Sequence, residues 1–362
     1  APLPLVRPWL LATGVSLGLT CSIKWSGAYL LAAVGILTVV WDMMALRRVR
    51  ARKWFLDGIL HRSVLDFLHL VPVAFVVYVL GWWSWFIHDR AFYRNWAATQ
   101  RDRGELVRAW LPDSLNSLFE YHRSMYNFHT HLKEPHPYMS KPIEWLVQWR
   151  PTSFYWPDER ELAGARCGTG KCVQAITSIG NIPVWWSAII GLVFCVLVLA
   201  IRNRDWRVWV SLIGYVGLYL PWFIYQNRTI FNFYTVAFVP FVVLALTLWL
   251  GTISGLIEPV PGSRLAVKED AALASGSIGE GRPYPRGFMA RLLGFGGRPM
   301  RRGLPAEWTG VPVWRTRVEG LCVLTVVVVI ATVFAVLWWP IWTGQMVSFD
   351  FWHWHMLLPS WV

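Results

Sequence analysis

WLLATGVSLGLTCSIKWSGAYLLAAVGILTVVWDMMA, residues 9–45, is an almost unbroken apolar block. A helix of about 20 residues crosses a hydrocarbon core about 30 Å thick. The block is too long for one crossing. It is interrupted once, by IKWSG at 23–27. It reads as two shorter spans joined by a tip that carries Lys24. A lysine at such a break is costly unless it is paired, wet or functional.

The rest of the chain repeats the pattern. Apolar runs recur at 64–86, 182–201, 206–225, 229–251 and 318–340, giving about seven spans. Only 15% of the 362 residues are charged and 55% are hydrophobic, against about 25% charged in a soluble domain. The fold class is an all-α multispanning membrane protein. The net charge of +13 sits in short segments between the apolar runs. That is a topology signal and argues against nucleic-acid binding.

RRVRARK at 47–53, RNRDWR at 202–207 and the segment 252–316 carry the basic excess. Seven alternating spans put all three on one side, the cytoplasm. The outer side then receives the Lys24 tip, segment 87–181, the turn QNRT at 226–229 and the tail 341–362. Trp pairs at 82–83, 185–186 and 338–339 mark outer interfaces. Five segments follow: 1–86 with the first spans and the KWSG break, 87–181 as an extracytoplasmic loop, 182–251 with three spans, 252–316, and 317–362 with the last span and an outer tail. Segment 252–316 holds 11 Gly and 7 Pro and reads as a flexible basic loop. The tail FWHWHMLLPSWV, with His353 and His355, reads as folding back on the membrane surface. The opening APLPLVRPWLL lacks Met and enters a span directly, so the chain reads as the C-terminal part of a longer protein.

Segment 87–181 is where chemistry is expected. PDSLNSLFEYHRSMYNFHTHL places Leu115, Leu118, Phe119, His122, Tyr126 and His129 on one stripe, predicting an amphipathic helix on the membrane surface with Asp113 as its cap. In EPHPYMSKP, Pro135, Pro137 and Pro142 exclude a continuing helix. The histidines lack HExxH or a Cys-rich context, so no metal site is expected. Cys167 and Cys172 in CGTGKC, outside and separated by a turn with two Gly, are a disulfide candidate. Asp158–Glu159 reads as a solvated loop pair.

YHRSMYNFHTHLKEPHPYMSKPIEWLVQWRPTSFYW at 121–156 resembles an outer-loop signature of protein O-mannosyltransferases in their C-terminal half. KWSGAYLLAAVGILTVVWD at 24–42, CVQAITSIGNIPVWW at 172–186, YQNRTIFNFYTVAFVPF at 225–241 and the terminal LPSWV are similar in the same order. The form is the short bacterial one. The resemblance implies a membrane-embedded, GT-C-type inverting glycosyltransferase. Its members move mannose from a polyprenyl-phosphate or dolichyl-phosphate carrier to Ser or Thr of exported proteins, on the outer face of the plasma membrane, with no cofactor. A carboxylate serves as base and cations meet the leaving phosphate. The family's base lies in an earlier acidic loop outside this sequence, so the chain reads as part of a catalyst that need not act by itself.

The resemblance makes Lys24, Arg228, Asn227 and Tyr234 candidates for the donor phosphate. His129, His131, His136 and Tyr138 are candidates for the acceptor cleft. Expected partners are a lipid-linked sugar, secreted or membrane acceptor proteins, secretion machinery and a second copy of the chain. Two other classes stay open: a non-catalytic lipid-binding partner subunit, and a transporter or flippase. The second is weakened by the scarcity of ionisable residues at mid-span, Asp66 and His69 lying near an inner end.

Overall fold

The computed structural model describes residues 6–105, 108–158, 160–162, 164–167, 170–258, 260, 263–264 and 318–362. Most of the basic 252–316 segment, and Glu159, lie outside the described residues. The chain forms two compact units, Ala1–Pro142 with Ile213–Ile230, and Ile143–Leu212 with Phe231–Val362. The outer segment expected at 87–181 is thus divided between them.

Six helices among the described residues are long and apolar enough to cross a membrane: Gly27–Arg48, Trp54–Leu80, Ile182–Arg202, Val208–Tyr225, Asn232–Ile253 and Glu319–Thr343. A seventh apolar helix, Pro8–Ile23, has 16 residues, or about 24 Å. The chain is a multispanning membrane protein. Two spans in particular differ from the sequence reading. The span expected at 64–86 starts at Trp54, because Asp57, His61 and Arg62 lie within one continuous helix whose Gly58–Arg62 turn is a π-helix. It ends at Leu80, and Trp83–Ile87 is a separate short helix. The span expected from 229 begins at Asn232, as a 3-10 helix. The connection after Tyr225 is correspondingly longer than four residues.

In the first unit, the Pro8–Ile23 and Ser63–Leu80 helices approach closely through Gly14 and Gly18. A Cβ at either would stand 2.6 Å from a backbone oxygen, that of His69 or Ala74. Small residues four apart are what lets two membrane helices meet without a hydrophobic drive. Gly217 does the same against Leu30, whose Cα would be 2.7 Å from an added Cβ. At one end of these helices Arg7 Nη1 donates to Asp42 Oδ2 and Asp66 Oδ1, both at 2.6 Å. Both aspartates are buried.

The Asp113–His131 helix forms as expected; of its stripe, Leu118 is buried and His122 half-buried. Asn116, Ser117 and Leu118 are buried, while Leu115, Phe119, Tyr126 and His129 are exposed. Ser117 Oγ accepts from the Ala97 N–H at 3.0 Å, and Arg108 donates to Asn116 Oδ1 and Glu120. Small polar groups meet the preceding segment by hydrogen bonds, and Phe119, Tyr126 and Phe128 are left outward. Asp113 is the first helical residue and not the cap; its carboxylate pairs with Arg101.

In the second unit, Gly191 lets the Ile182–Phe194 helix lie against Ala245 and Leu246 of Val239–Ile253. Two small antiparallel sheets pair Ser153–Tyr155 with Ile176–Thr177, and Cys172–Gln174 with Met346–Ser348. Cys167 and Cys172 form a disulfide, with Cα atoms 5.2 Å apart. The tail departs from the expected surface position. Trp352 and Trp361 belong to a buried core with Val173, Ile182, Phe334 and Trp338, and His355 is fully buried. Trp361 Nε1 donates to the Gln148 carbonyl at 2.8 Å and Arg150 Nη1 to that of Ser360 at 2.6 Å. Those indole and guanidinium bonds hold the tail in protein.

Candidate functional site

The first unit gathers its cations at the tip between the Pro8–Ile23 and Gly27–Arg48 helices. Lys24 caps the first of these in an extended conformation, φ −154° and ψ 134°. Its Nζ lies 5.2 Å from the centre of the Trp222 ring. The Arg228 guanidinium lies 5.9 Å from the same ring. Trp222 is buried at the end of the Val208–Tyr225 span, so one indole seats both cations by its π face.

Arg228 is held by its neighbours along the chain. Thr229 N–H donates to the Leu132 carbonyl at 3.1 Å, and Thr229 Oγ1 donates to the Glu134 carbonyl at 2.5 Å. Ser140 N–H donates to the Ile230 carbonyl at 2.9 Å. The proline-fixed stretch 132–140 therefore runs beside 229–230 and clamps it. That is the use of KEPHPYMS in so apolar a chain: prolines keep it extended, with backbone groups available to a neighbouring strand of chain.

His129, expected on the acceptor side, belongs with the cations. Arg228 Nη2 lies 3.4 Å from its Nδ1. The imidazole is held below the usual histidine range, first by loss of water around the ring and then by the charges of Arg228 and Lys24. Lys24 keeps accessible surface, yet loss of water around its ammonium, with Arg228 adding repulsion, pulls it down to about 8. Arg228 Nε is buried without a hydrogen-bond partner. At neutral pH the cluster therefore carries two positive charges beside a neutral histidine, with donor capacity in reserve. Two like charges held together repel, and an anion between them relieves that cost.

The other candidates have these neighbours. Asn227 is exposed in the same connection. His131 turns back on its own helix, Nδ1 2.8 Å from the Asn127 carbonyl. His136 Nδ1 accepts from the Tyr138 N–H at 3.1 Å, and their rings are 5.9 Å apart. Tyr234 belongs to the second unit, where it packs edge-on against Trp145 and Phe233. Sequence reasoning missed Trp222. One tryptophan among 26 carries no local signal that it seats two cations.

Two family descriptions match the chain. "Dolichyl-phosphate-mannose-protein mannosyltransferase" covers residues 7–89. "C-terminal four TMM region of protein-O-mannosyltransferase" covers residues 114–258. Among curated proteins, the polyprenol-phosphate-mannose–protein mannosyltransferase of Mycobacterium tuberculosis is 35% identical over 265 residues, 71% of this chain and 49% of that protein. The protein of the same description from Mycolicibacterium smegmatis is 34% identical over 254 residues, 68% of this chain and 48% of the relative. That from Corynebacterium glutamicum is 29% identical over 262 residues, 70% and 49%. The chain thus spans about half the length of the curated relatives it matches. No solved structure matches it.

Proposed function

This chain belongs to the protein O-mannosyltransferase family, and from that premise we propose that it contributes the donor-binding side of an inverting mannosyl transfer. The donor is a polyprenyl-phosphate mannose, the acceptor a Ser or Thr hydroxyl of an exported protein, and the reacting face extracytoplasmic. The activity for which the relatives are named supports this reading, as does the pairing of Lys24 and Arg228 on Trp222. That pairing is the single observation that carries it.

The chemistry follows from charge. A polyprenyl-phosphate mannose is a phosphodiester with one negative charge. When the acceptor oxygen attacks C1 from the opposite face and the C1–O bond breaks, both electrons stay with the phosphate, which becomes a monoester with growing second charge. Cations that meet this growth stabilise the transition state more than the bound donor, the condition for rate enhancement. Arg228 offers a planar fork that can donate two parallel hydrogen bonds. Lys24, depressed to about 8, holds its proton more firmly as the dianion forms. The base for the acceptor hydroxyl is assigned to no residue of this chain.

The test is transfer from lipid-linked mannose to a Ser/Thr peptide by the full-length protein in proteoliposomes, with an impermeant thiol reagent reporting on H131C. Transfer with inversion, and labelling from outside, is the expected result. Donor binding without transfer would instead favour the lipid-binding subunit reading, which uses the same cations.

A further inference from the structure

Two turns before His129, the Asp113–His131 helix carries a second histidine that the transfer reading leaves unused. His122 is enclosed by three rings of the same unit. It stacks on Trp25 with centroids 5.4 Å apart and 15° between planes, and meets Trp82 at 4.9 Å and Tyr78 at 5.7 Å. Its Nδ1 lies 2.7 Å from the Leu118 carbonyl oxygen, which can only accept. A proton therefore sits on Nδ1, and in the neutral tautomer Nε2 is the acceptor. The Tyr78 hydroxyl, 2.5 Å from Nε2, donates to it. The Tyr78 oxygen in turn accepts from the Trp25 indole N–H at 2.9 Å. In that tautomer the donors run one way, from Trp25 through Tyr78 to His122 and the helix backbone.

Trp25 follows Lys24 directly. Lys24 is extended, so the two side chains leave opposite sides of the backbone. One enters the aromatic cage; the other stands over Trp222. The tip has little slack, because a Cβ on Gly27 would lie 2.8 Å from the Cys21 nitrogen. Seven residues on from His122, about 10.5 Å along the axis, His129 meets Arg228. One helix thus touches the support of both cations.

We infer that His122 is a positioning residue for Lys24: through Tyr78 and Trp25 it fixes the tip, so that the Asp113–His131 helix sets where Lys24 stands relative to Arg228. The inference rests on the reading of these cations as the headgroup site. A histidine that only filled space would be replaced by Phe without consequence for Lys24.

The experiment compares full-length wild-type protein with H122F, H122Q and Y78F in proteoliposomes. One readout is KM for the lipid-linked mannose against KM for the acceptor peptide. The other needs no activity: the pH midpoint of Lys24 labelling by an amine-reactive reagent, followed by mass spectrometry. H122F is expected to raise the donor KM about tenfold, the scale of one lost hydrogen bond, leaving the acceptor KM within about twofold. The Lys24 midpoint, about 8 in the wild type, is expected to rise as the ammonium leaves the crowd around Trp222. H122Q keeps an acceptor for Tyr78 and should recover most of both effects. Y78F removes only the middle hydroxyl and should shift the midpoint as H122F does, which keeps the test alive should H122F fail to fold. An unmoved Lys24 midpoint in Y78F and in folded H122F overturns the inference. If the wild type transfers no mannose, the midpoint decides alone: a shift upholds the positioning role while the transfer reading falls.

Discussion

Lys24 and Arg228, far apart in the sequence, stand over the same indole, 5.2 Å and 5.9 Å from the centre of the Trp222 ring. Neither charge neutralises the other. The fold holds both over one ring although like charges repel.

On the proposed reading, removing Arg228 takes away one of the two cations that meet the leaving phosphate. R228A is expected to lower kcat/KM for the lipid-linked donor by about 10²–10³, the range for loss of one charge-stabilising donor in a catalytic site. R228K keeps the charge and loses the fork, so it should recover only part. Steady-state kinetics with varied donor would show this, and wild-type donor kinetics in R228A would remove the residue from the site.

The pH dependence has a definite sign. Lys24 is cationic below about 8 and loses its charge above it. Donor use should therefore fall as pH rises through about 8. R228Q removes the repulsion that helps depress Lys24, so the alkaline limb should move to higher pH in that variant. Stability runs the other way. A lysine whose folded value lies below its unfolded value opposes folding while it is protonated, so the fold should gain stability as pH rises through about 8. A pH series of donor KM, paired with thermal unfolding in detergent, reads both.

Arg7 is the counter-charge for Asp42 and Asp66, which are 6% and 1% exposed. R7A leaves two buried carboxylates facing each other and should destabilise the fold by about 3–5 kcal/mol. The double variant R7L/D66L, which removes one charge of each sign, should cost less than R7A. Thermal unfolding in one detergent separates the two, and equal losses would show that the pairing contributes nothing.

Gly18 faces the Ala74 carbonyl with no room for a methyl group, the added Cβ falling 2.6 Å from that oxygen. G18A should cost about 1–3 kcal/mol by overpacking, and G18L should prevent accumulation of folded protein. Gly35 has open space where its Cβ would be, so G35A should be tolerated. Size-exclusion profiles of the three variants check this.

Hydropathy and prolines determined a good deal of this protein locally. The IKWSG interruption split one apolar block into the Pro8–Ile23 and Gly27–Arg48 helices, with Lys24 at their junction. The spacing of SLNSLFEYHRSMYNFHTH gave a helix, and Pro135, Pro137 and Pro142 kept the following stretch out of one. These features depend on length, period and backbone restriction, which neighbouring residues decide among themselves. Tertiary structure alone decided that Trp222 seats Lys24 with Arg228, that His129 joins them, and that His122 grips Trp25. It also turned Asn116 and Ser117 inward on a helix whose Phe119, Tyr126 and Phe128 point out, and drew the terminal tryptophans into a core. Which faces of helices meet is set by close approaches such as Gly14 on His69 and Gly217 on Leu30, and by hydrogen bonds that only packed neighbours can satisfy. Composition cannot carry that information, because a membrane helix is apolar on every side and its sequence does not mark which side finds a partner.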